Sequence, residues 1–294
     1  SFMHIQIDHC LDQNFLQELE ADIQAVLNDV RAAVQDWPKM RYQLTKAIEV
    51  NEEHARAGDD GAEAKEFMRW LDANNFTYLG FRDIDLRQEG GKLAAITIIP
   101  DSGLGVLRDR DLHMFGGLRN MKSHQKSALQ TYARNSHTIF VTKTNVVSRI
   151  HRRVPMDAVF VRRFDAAGNV IGERLFVGLF TSQSYSQSPR DIPFMRRKIE
   201  TVIARANLRS GSHDHKALVH ILNTYPHDEL FQITEDELQA NAMRILQLQE
   251  RARVALVTRT DPFGRYITCL IFVPREQYNS SLRQRFQTYL ENAY

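Results

Sequence analysis

Arg149, His151, Arg152 and Arg153 form the densest run of cationic side chains in this sequence, with Arg162 and Arg163 a short way beyond. Guanidiniums present planar forks of donors that match carboxylates and phosphates. These four residues are therefore the candidate contacts for an anion or a carboxylate effector. No aromatics are interleaved among them for base stacking, which argues against a nucleic-acid surface. The plainer reading is preferred: solvated strand positions paired with Asp157, Asp165 and Glu173, since exposed ion pairs are common and contribute little.

Other residues with chemical potential lack the required spacing. His213, His215, His220 and His227 are close in sequence. A zinc site needs three or four ligands converging from one face, and His213 and His215 straddle a helix start and diverge. Capping and surface roles are preferred for them. Gly103-Leu104-Gly105 is the nearest approach to a phosphate-cradling turn. It lacks a third glycine and a following helix, so a flexible surface loop is expected. Ser182, Ser184, Ser186 and Ser188 have neither a neighbouring base nor a G-x-S-x-G elbow, and read as linker. No pair of carboxylates is spaced for acid–base work. Residue type and spacing thus name no catalytic, cofactor-binding or metal-ligating residue.

The elements that would position any site are organised around Ala158–Phe180. Here AVFVRRF and VIGERLFVGLF flank Asp165-Ala166-Ala167-Gly168-Asn169. β-Branched and aromatic residues around a loop holding Gly and Asn predict a hairpin. Its returning arm is apolar on successive residues, so it reads as a central strand covered on both faces.

Before the hairpin, Met3–Asp8 alternates like a strand. Asp12 caps a helix with the stripe Phe15, Leu19, Ile23, Val26, Val30 and Val34, which Trp37-Pro38 is expected to end. A second helix carries Met40, Leu44 and Ile48, and Gly58-Asp59-Asp60-Gly61 marks a boundary. Ala62–Ala73 reads as a helix with Phe67, Trp70 and Leu71 inward. Strands are expected over Phe76–Leu86 and, after a turn at Glu89-Gly90-Gly91, Leu93–Ile99. Pro100–Gly117 reads as a long loop, Ser127–Arg134 as a short helix, and His137–Val141 and Val146–Ile150 as two more strands. About six antiparallel strands with helices to one side is an α+β plan, similar in outline to small sensory modules of the PAS type.

After the hairpin, Thr181–Ser188 reads as an exposed connector. Three helices follow: one opened by Pro193, one capped by Asp214 and broken at Tyr225-Pro226, and one opened by a Thr234/Glu237 capping box. The last segment runs strand (Val254–Thr258), type I turn (Asp261–Gly264), strand (Ile267–Val273) and then a helix capped by Asn279 or Ser280. Two strands and a helix are too little to close a core, and Ser1-Phe2 precedes Met3; the sequence is therefore expected to be a piece of a longer polypeptide.

Composition sets the outer bounds. Lys+Arg 38 against Asp+Glu 36 leaves a formal charge of +2, so no global field draws in nucleic acid or an anionic membrane. The apolar runs are strand-sized, so no bilayer span is expected. Cys10 and Cys269 lack metal spacing and fit a reduced, cytoplasmic protein.

Six stretches, in order along nearly the whole chain, carry a family resemblance: SFMHIQID (1–8), DVRAAVQDWPKM (29–40), RWLDANNFTYLGFRDIDL (69–86), SRIHRRVPMDAVFVRRF (148–164), SHDHKALVHILNTYPHDELFQI (212–233) and RVALVTRTDPFGRYITCLIFVPREQYNSSLR (253–283). Together they resemble the N-terminal half of the large bacterial NAD-specific glutamate dehydrogenases. The resemblance implies a much larger parent enzyme that oxidises L-glutamate to 2-oxoglutarate and ammonia with NAD as hydride acceptor. It also implies ACT-like and PAS-like modules here, with the catalytic residues and the NAD site nearer the C-terminus. None of those catalytic motifs occurs in this sequence, so no catalytic residue carries over and no cofactor is expected in this segment.

On this resemblance residues 1–58 are the end of an ACT-like module plus helices, and 62–188 a PAS-like module. Residues 189–250 are then a helical connector, and 251–294 the start of a further ACT-like module. An ACT module ordinarily places a helix after its first strand; here two strands come first, which puts its usual amino-acid site in doubt. The expected role is a non-catalytic regulatory and oligomerisation segment of a homo-oligomeric enzyme, open to an amino-acid or carboxylate effector. The alternative is a stand-alone PAS-type sensor of a small ligand.

Overall fold

A computed structural model describes residues 4, 6, 12–54, 61–89, 92–109, 137–249 and 254–293. The expected strand Met3–Asp8, the boundary at Gly58–Gly61, the turn at Glu89–Gly91, the helix Ser127–Arg134 and Cys10 lie wholly or partly outside the described residues. The described chain is α+β with every strand pairing antiparallel, as expected. It divides into two compact units: Ser1–Ala55, Phe76–Leu118 and Ile139–Thr181; and Arg56–Asn75, Arg119–Thr138 and Ser182–Tyr294.

The first unit opens with helix α1 (Gln13–His54), capped by Asp12, whose Oδ1 accepts from the backbone N–H of Asn14. The expected break at Trp37-Pro38 does not occur. Pro38 cannot donate to the Val34 carbonyl, but both residues are on the exposed side of the helix, Val34 at 68%, so the lost bond falls away from the core. Burial of Ala33, Asp36, Met40, Leu44 and Ala47 on either side of the proline holds the helix together. Phe15, Ile23, Val30 and Val34, expected on the inward stripe, are exposed instead.

The sheet comprises β1 (Phe76–Glu89), β2 (Lys92–Ile98), β3 (Leu104–Gly105), β4 (Ile139–Val147), β5 (Pro155–Phe164) and β6 (Val170–Phe180). Its order is β2-β1-β6-β5-β4, with β3 pairing to β1, so β6 is central as its apolar run predicts. The β5–β6 turn is held by Asp165, whose Oδ1 accepts from the N–H groups of Ala167 and Asn169. The two strands expected over His137–Val141 and Val146–Ile150 are one strand, β4. Its register with β5 shifts between Lys143 and Val147, and the intervening Thr142 and Thr144 are buried β-branched residues that keep it extended.

Pleat alternation gives the sheet two faces. One carries the aliphatic cluster of Leu79, Ile84, Leu86, Met156, Ala158, Leu175, Val177 and Leu179, which includes Ala33 of α1. The other carries an aromatic ladder, with Phe76 and Phe180 at 5.3 Å, Tyr78 and Phe176 at 6.1 Å, and Phe81 and Phe176 at 5.0 Å between ring centroids.

The second unit joins α2 (Gly61–Trp70) to α3 (Ser182–Ser186), α4 (Met195–Ala206), α5 (His213–Thr224), α6 (His227–Gln232) and α7 (Glu235–Gln249). Beyond these come the hairpin β7 (Ala255–Thr260) and β8 (Ile267–Phe272), and helix α8 (Ser280–Ala293). Phe67 of α2 packs edge-on to Phe194 and Phe231. The expected connector Thr181–Ser188 is helical and docked. Gln187 accepts from the Trp70 indole at 2.8 Å and donates to Asn75, while Tyr185 donates to Asp228. Buried partners, rather than its polar composition, fix that stretch.

Ser212, not Asp214, caps α5, its hydroxyl accepting from the His215 N–H. The Thr234/Glu237 capping box and the Asn279 cap form as expected. So does the Asp261–Gly264 turn, closed by Gly264 N–H to the Asp261 carbonyl at 2.8 Å. No described helix is long and apolar enough to cross a membrane.

Candidate functional site

The basic run forms the bend between β4 and β5. Arg149 Nη1 lies 3.6 Å from Asp29 of α1, and the Arg152 guanidinium donates to the Phe180 carbonyl at 2.7 Å. Arg149, His151 and Arg153 are exposed, with His151 in the left-handed region at φ 62°. The carboxylates expected to pair with this run lie elsewhere. Arg162 and Glu173 do pair, at 3.0 Å, but both side chains are buried, at 3% and 4% exposure. Asp157 is buried against Lys143 at 2.5 Å. The sheet covers these positions, so they are packed ion pairs rather than solvated ones.

Gly103-Leu104-Gly105 is not a flexible surface loop. Leu104 and Gly105 form β3, pairing with Gly80 and Phe81 of β1. Gly105 is buried at φ 59°, and a Cβ there would lie 2.1 Å from the Leu79 carbonyl, so only glycine fits. Its N–H donates at 2.9 Å to Asp36 of α1, which also takes the Arg108 guanidinium in two bonds of 2.5 and 2.6 Å. Burial raises the Asp36 pKa, but Arg108, the Gly105 N–H and Lys39 outweigh it and hold the carboxyl below its ordinary value. This constellation locks a helix to a sheet edge, with both Asp36 oxygens engaged by the protein itself.

The aromatic face of the sheet changes character toward the β5–β6 turn. Arg163, Gly172 and Asp85 are in register across β5, β6 and β1, and Arg163 reaches over Gly172 to Asp85 at 2.9 Å. A Cβ on Gly172 would sit 3.1 Å from that guanidinium and 2.2 Å from the Ile84 carbonyl. The next row places Val161, Arg174 and Asp83 side by side, and the row beyond is Val159, Phe176 and Phe81. Asp83 Oδ1 and Arg174 Nε are buried atoms without a hydrogen-bond partner. Burial pushes the Asp83 carboxyl above its ordinary value, with Arg163 and Arg174 pulling it back. Burial lowers the Arg174 guanidinium, with Asp83 opposing.

In the second unit the four histidines do not converge. His213 is 95% exposed, and His220 lines a groove. His227 packs edge-on to Tyr185, its pKa lowered mainly by burial. Among the described residues no group of three or more His, Cys, Asp or Glu could hold a metal ion. Ser184 is buried, and the Ser188 hydroxyl accepts from the Arg190 N–H, which is capping and not nucleophilic chemistry.

Two polar assemblies escape sequence reading here. Lys198 Nζ donates to the carbonyls of Leu230, Phe231 and Ile233 at 2.8–3.1 Å, closing the C-terminal end of α6, and burial lowers its pKa to about 8. Glu229 is held by a two-bond fork from Arg259 at 2.7 and 2.9 Å and by the Thr268 hydroxyl at 2.7 Å, tying α6 to β7 and β8. A groove of about 590 Å³ lies between His220, Ile221 and Thr224 of α5, Ile245 and Leu248 of α7, and the run Cys269–Pro274. Its lining has no acid, lysine or arginine, so it offers apolar contact rather than acid–base chemistry.

The signal for the Asp83 and Arg174 row is charged residues inside otherwise apolar strands, in RDID (82–85) and GER (172–174). It becomes legible only once register is known.

Comparison with known proteins bears on the whole chain. The family model described as glutamate dehydrogenase, helical motif 1, matches residues 192–251, and that of the glutamate dehydrogenase ACT2 domain matches 255–294. The NAD-specific glutamate dehydrogenase of Halomonas elongata is 37% identical over 299 residues, that of Pseudomonas aeruginosa 34% over 297, and that of Mycobacterium tuberculosis 26% over 298. Each alignment takes in 99% of this chain but only 18%, 18% and 17% of the relative. The chain thus spans less than a fifth of the length of the curated relatives it matches.

Proposed function

We propose that this chain, a segment of the large NAD-specific glutamate dehydrogenase family, is a non-catalytic regulatory and oligomerisation part of such an enzyme. The parent reaction in this reading converts L-glutamate, NAD and water to 2-oxoglutarate, ammonia and NADH, in the cytoplasm and in a homo-oligomer. One observation carries the reading: the relatives align with this chain from end to end, yet it supplies only 18% of their length. NAD binding and hydride transfer are then the work of other parts of the parent polypeptide.

Within this reading, residues 1–58 and 251–294 belong to ACT-like modules, 62–188 to a PAS-like module and 189–250 to a helical connector. The ACT2 match over 255–294 supports the assignment of 251–294, and the helical-motif match over 192–251 supports that of 189–250. The six-stranded antiparallel sheet supports a PAS-like outline. Arg149, His151, Arg152 and Arg153 are the candidate contacts for an anionic or carboxylate effector, with Arg149, His151 and Arg153 exposed for that purpose.

The test is direct. The purified 294-residue chain, shown folded by circular dichroism, is incubated with L-glutamate and NAD while NADH absorbance is followed. No glutamate-dependent NADH is expected, and sustained turnover overturns the proposal.

A further inference from the structure

Helix α1 runs for 42 residues, and its buried residues Ala33, Asp36, Met40, Leu44 and Ala47 come late in it. None of residues 13–32 is buried. A helix owes most of its stability to packing along one face, and the first part of α1 has no packed face among the described residues. Its apolar residues are nonetheless ordered. Ile23, Leu27, Val30, Val34 and Trp37 are all exposed, and they recur at alternating steps of four and three residues. That spacing averages about 3.5 residues and lays them in one narrow seam, the pattern of paired helices in a coiled coil. At 3.6 residues per turn the seam lies about 100° round the helix from the side that buries Ala33, Met40 and Ala47, so a partner seated on it leaves that side undisturbed. The same steps continue outward to Glu20 and Leu16 at one end and to Arg41 at the other.

We propose that this seam pairs with the same seam of a second copy of the chain, the two helices running antiparallel. The spacing is symmetric about the Asn28–Asp29 peptide. Reversing one helix sets Leu27 against the partner's Val30, Ile23 against the partner's Val34, Glu20 against the partner's Trp37 and Leu16 against the partner's Arg41. Charge chooses the direction. Parallel copies in register would stack Glu20 on Glu20 and Arg41 on Arg41 inside the seam, and like charges face to face oppose association. The antiparallel arrangement separates both and brings Glu20 within about one helical turn of the partner's Arg41, at both ends of the dimer by symmetry. Arg41 stacks over the Trp37 ring at 4.9 Å, so the guanidinium is already held along the seam. The pairing rests on the oligomerisation part of the role proposed above and gives it a surface; whether the chain is catalytic does not bear on it.

The experiment is sedimentation equilibrium of the 294-residue chain across the micromolar range, which should return twice the mass of one chain. Leu27→Lys and Val34→Asp each put a charge in the seam at a position exposed in the single chain. Both should keep the helical circular dichroism of a folded chain and sediment as monomers. Glu20→Arg should weaken dimerisation by about tenfold or more, because it sets a second cation beside the partner's Arg41 at each end. Adding Arg41→Glu should restore the dimer. Parallel helices would answer differently, since Glu20→Arg there exchanges one like-charged pair for another. An unsubstituted chain that stays monomeric, a dimer indifferent to Leu27→Lys and Val34→Asp, or one that Glu20→Arg leaves unchanged overturns the proposal. A monomer that makes no glutamate-dependent NADH overturns the pairing alone, whereas a dimer with sustained turnover overturns the non-catalytic reading alone.

Discussion

Asp36 lies in the middle of a helix, where spacing alone gives a charged residue a solvated face, yet its side chain is 1% exposed. Its partners, Gly105 and Arg108, lie 69 and 72 residues away. Local polar chemistry was legible in the sequence: the Asp12 and Asn279 caps, the Thr234/Glu237 box and the Asp261 turn all act within four residues. Bonds such as Asp36 to Gly105 depend on chain folding over long separations and leave no local pattern. The same holds for Lys198 and for the Asp83 row: the basic run at Arg149–Arg153 is contiguous in sequence, whereas the charged row on the sheet face is assembled from separate strands.

Replacing Asp36 with Asn should cost about 1–3 kcal/mol at neutral pH, the usual range for a charge-assisted hydrogen-bonded pair. The sign of the pH dependence follows from its depressed pKa. The contribution is fully present above the unfolded value of 3.8 and is lost as pH falls through the lower folded value. Urea unfolding of wild type and Asp36→Asn should therefore show a gap that narrows from about pH 6 to about pH 3. A gap that stays constant across that range would mean the carboxylate charge is not what matters.

Elements were most legible where one pattern ran unbroken. The hairpin Ala158–Phe180 and its central strand came directly from apolar run, turn and return. Boundaries drawn at a single residue type were weaker. Pro38 reads locally as a stop, yet the helix continues because buried residues on both sides outweigh one lost bond on the exposed face. Polar Thr142 to Asn145 looks like a gap between strands, yet β-branched threonines carry the strand through it. Tertiary packing overrides local preference in both cases. If α1 is continuous, Pro38→Ala restores a backbone bond and a better helix former, and should stabilise the chain by about 1–3 kcal/mol. The check is the urea midpoint together with helical circular dichroism. An unchanged or lower midpoint would mean that the proline's geometry is itself required.

At the scale of the molecule, the compact units are discontinuous in sequence, a property that composition shifts along a chain do not reveal. Glycines at Gly58–Gly61 and serines at Ser182–Ser188 invite a cut at each point. Yet α2, which follows the first cut, belongs to the second unit: Glu63 accepts from the Phe194 N–H and from Arg196, and Phe67 packs on Phe194 and Phe231. Helix α1, which precedes that cut, belongs with the sheet through Ala33 and Asp36. A fragment of residues 62–188 therefore loses twice. It strips α1 from the sheet edge, and it exposes Phe67, a loss on the order of 1.5–3 kcal/mol that 1–181 shares but meets with its helix–sheet core intact. Residues 1–181 keep the whole helix–sheet assembly and carry α2 only as a surplus. We predict that 1–181 unfolds cooperatively in urea, whereas 62–188 binds an apolar dye and melts without a sharp transition. A sharp, dye-free transition in 62–188 would show that the sheet needs neither α1 nor the Asp36 anchor, and the interleaved arrangement would then have no energetic meaning.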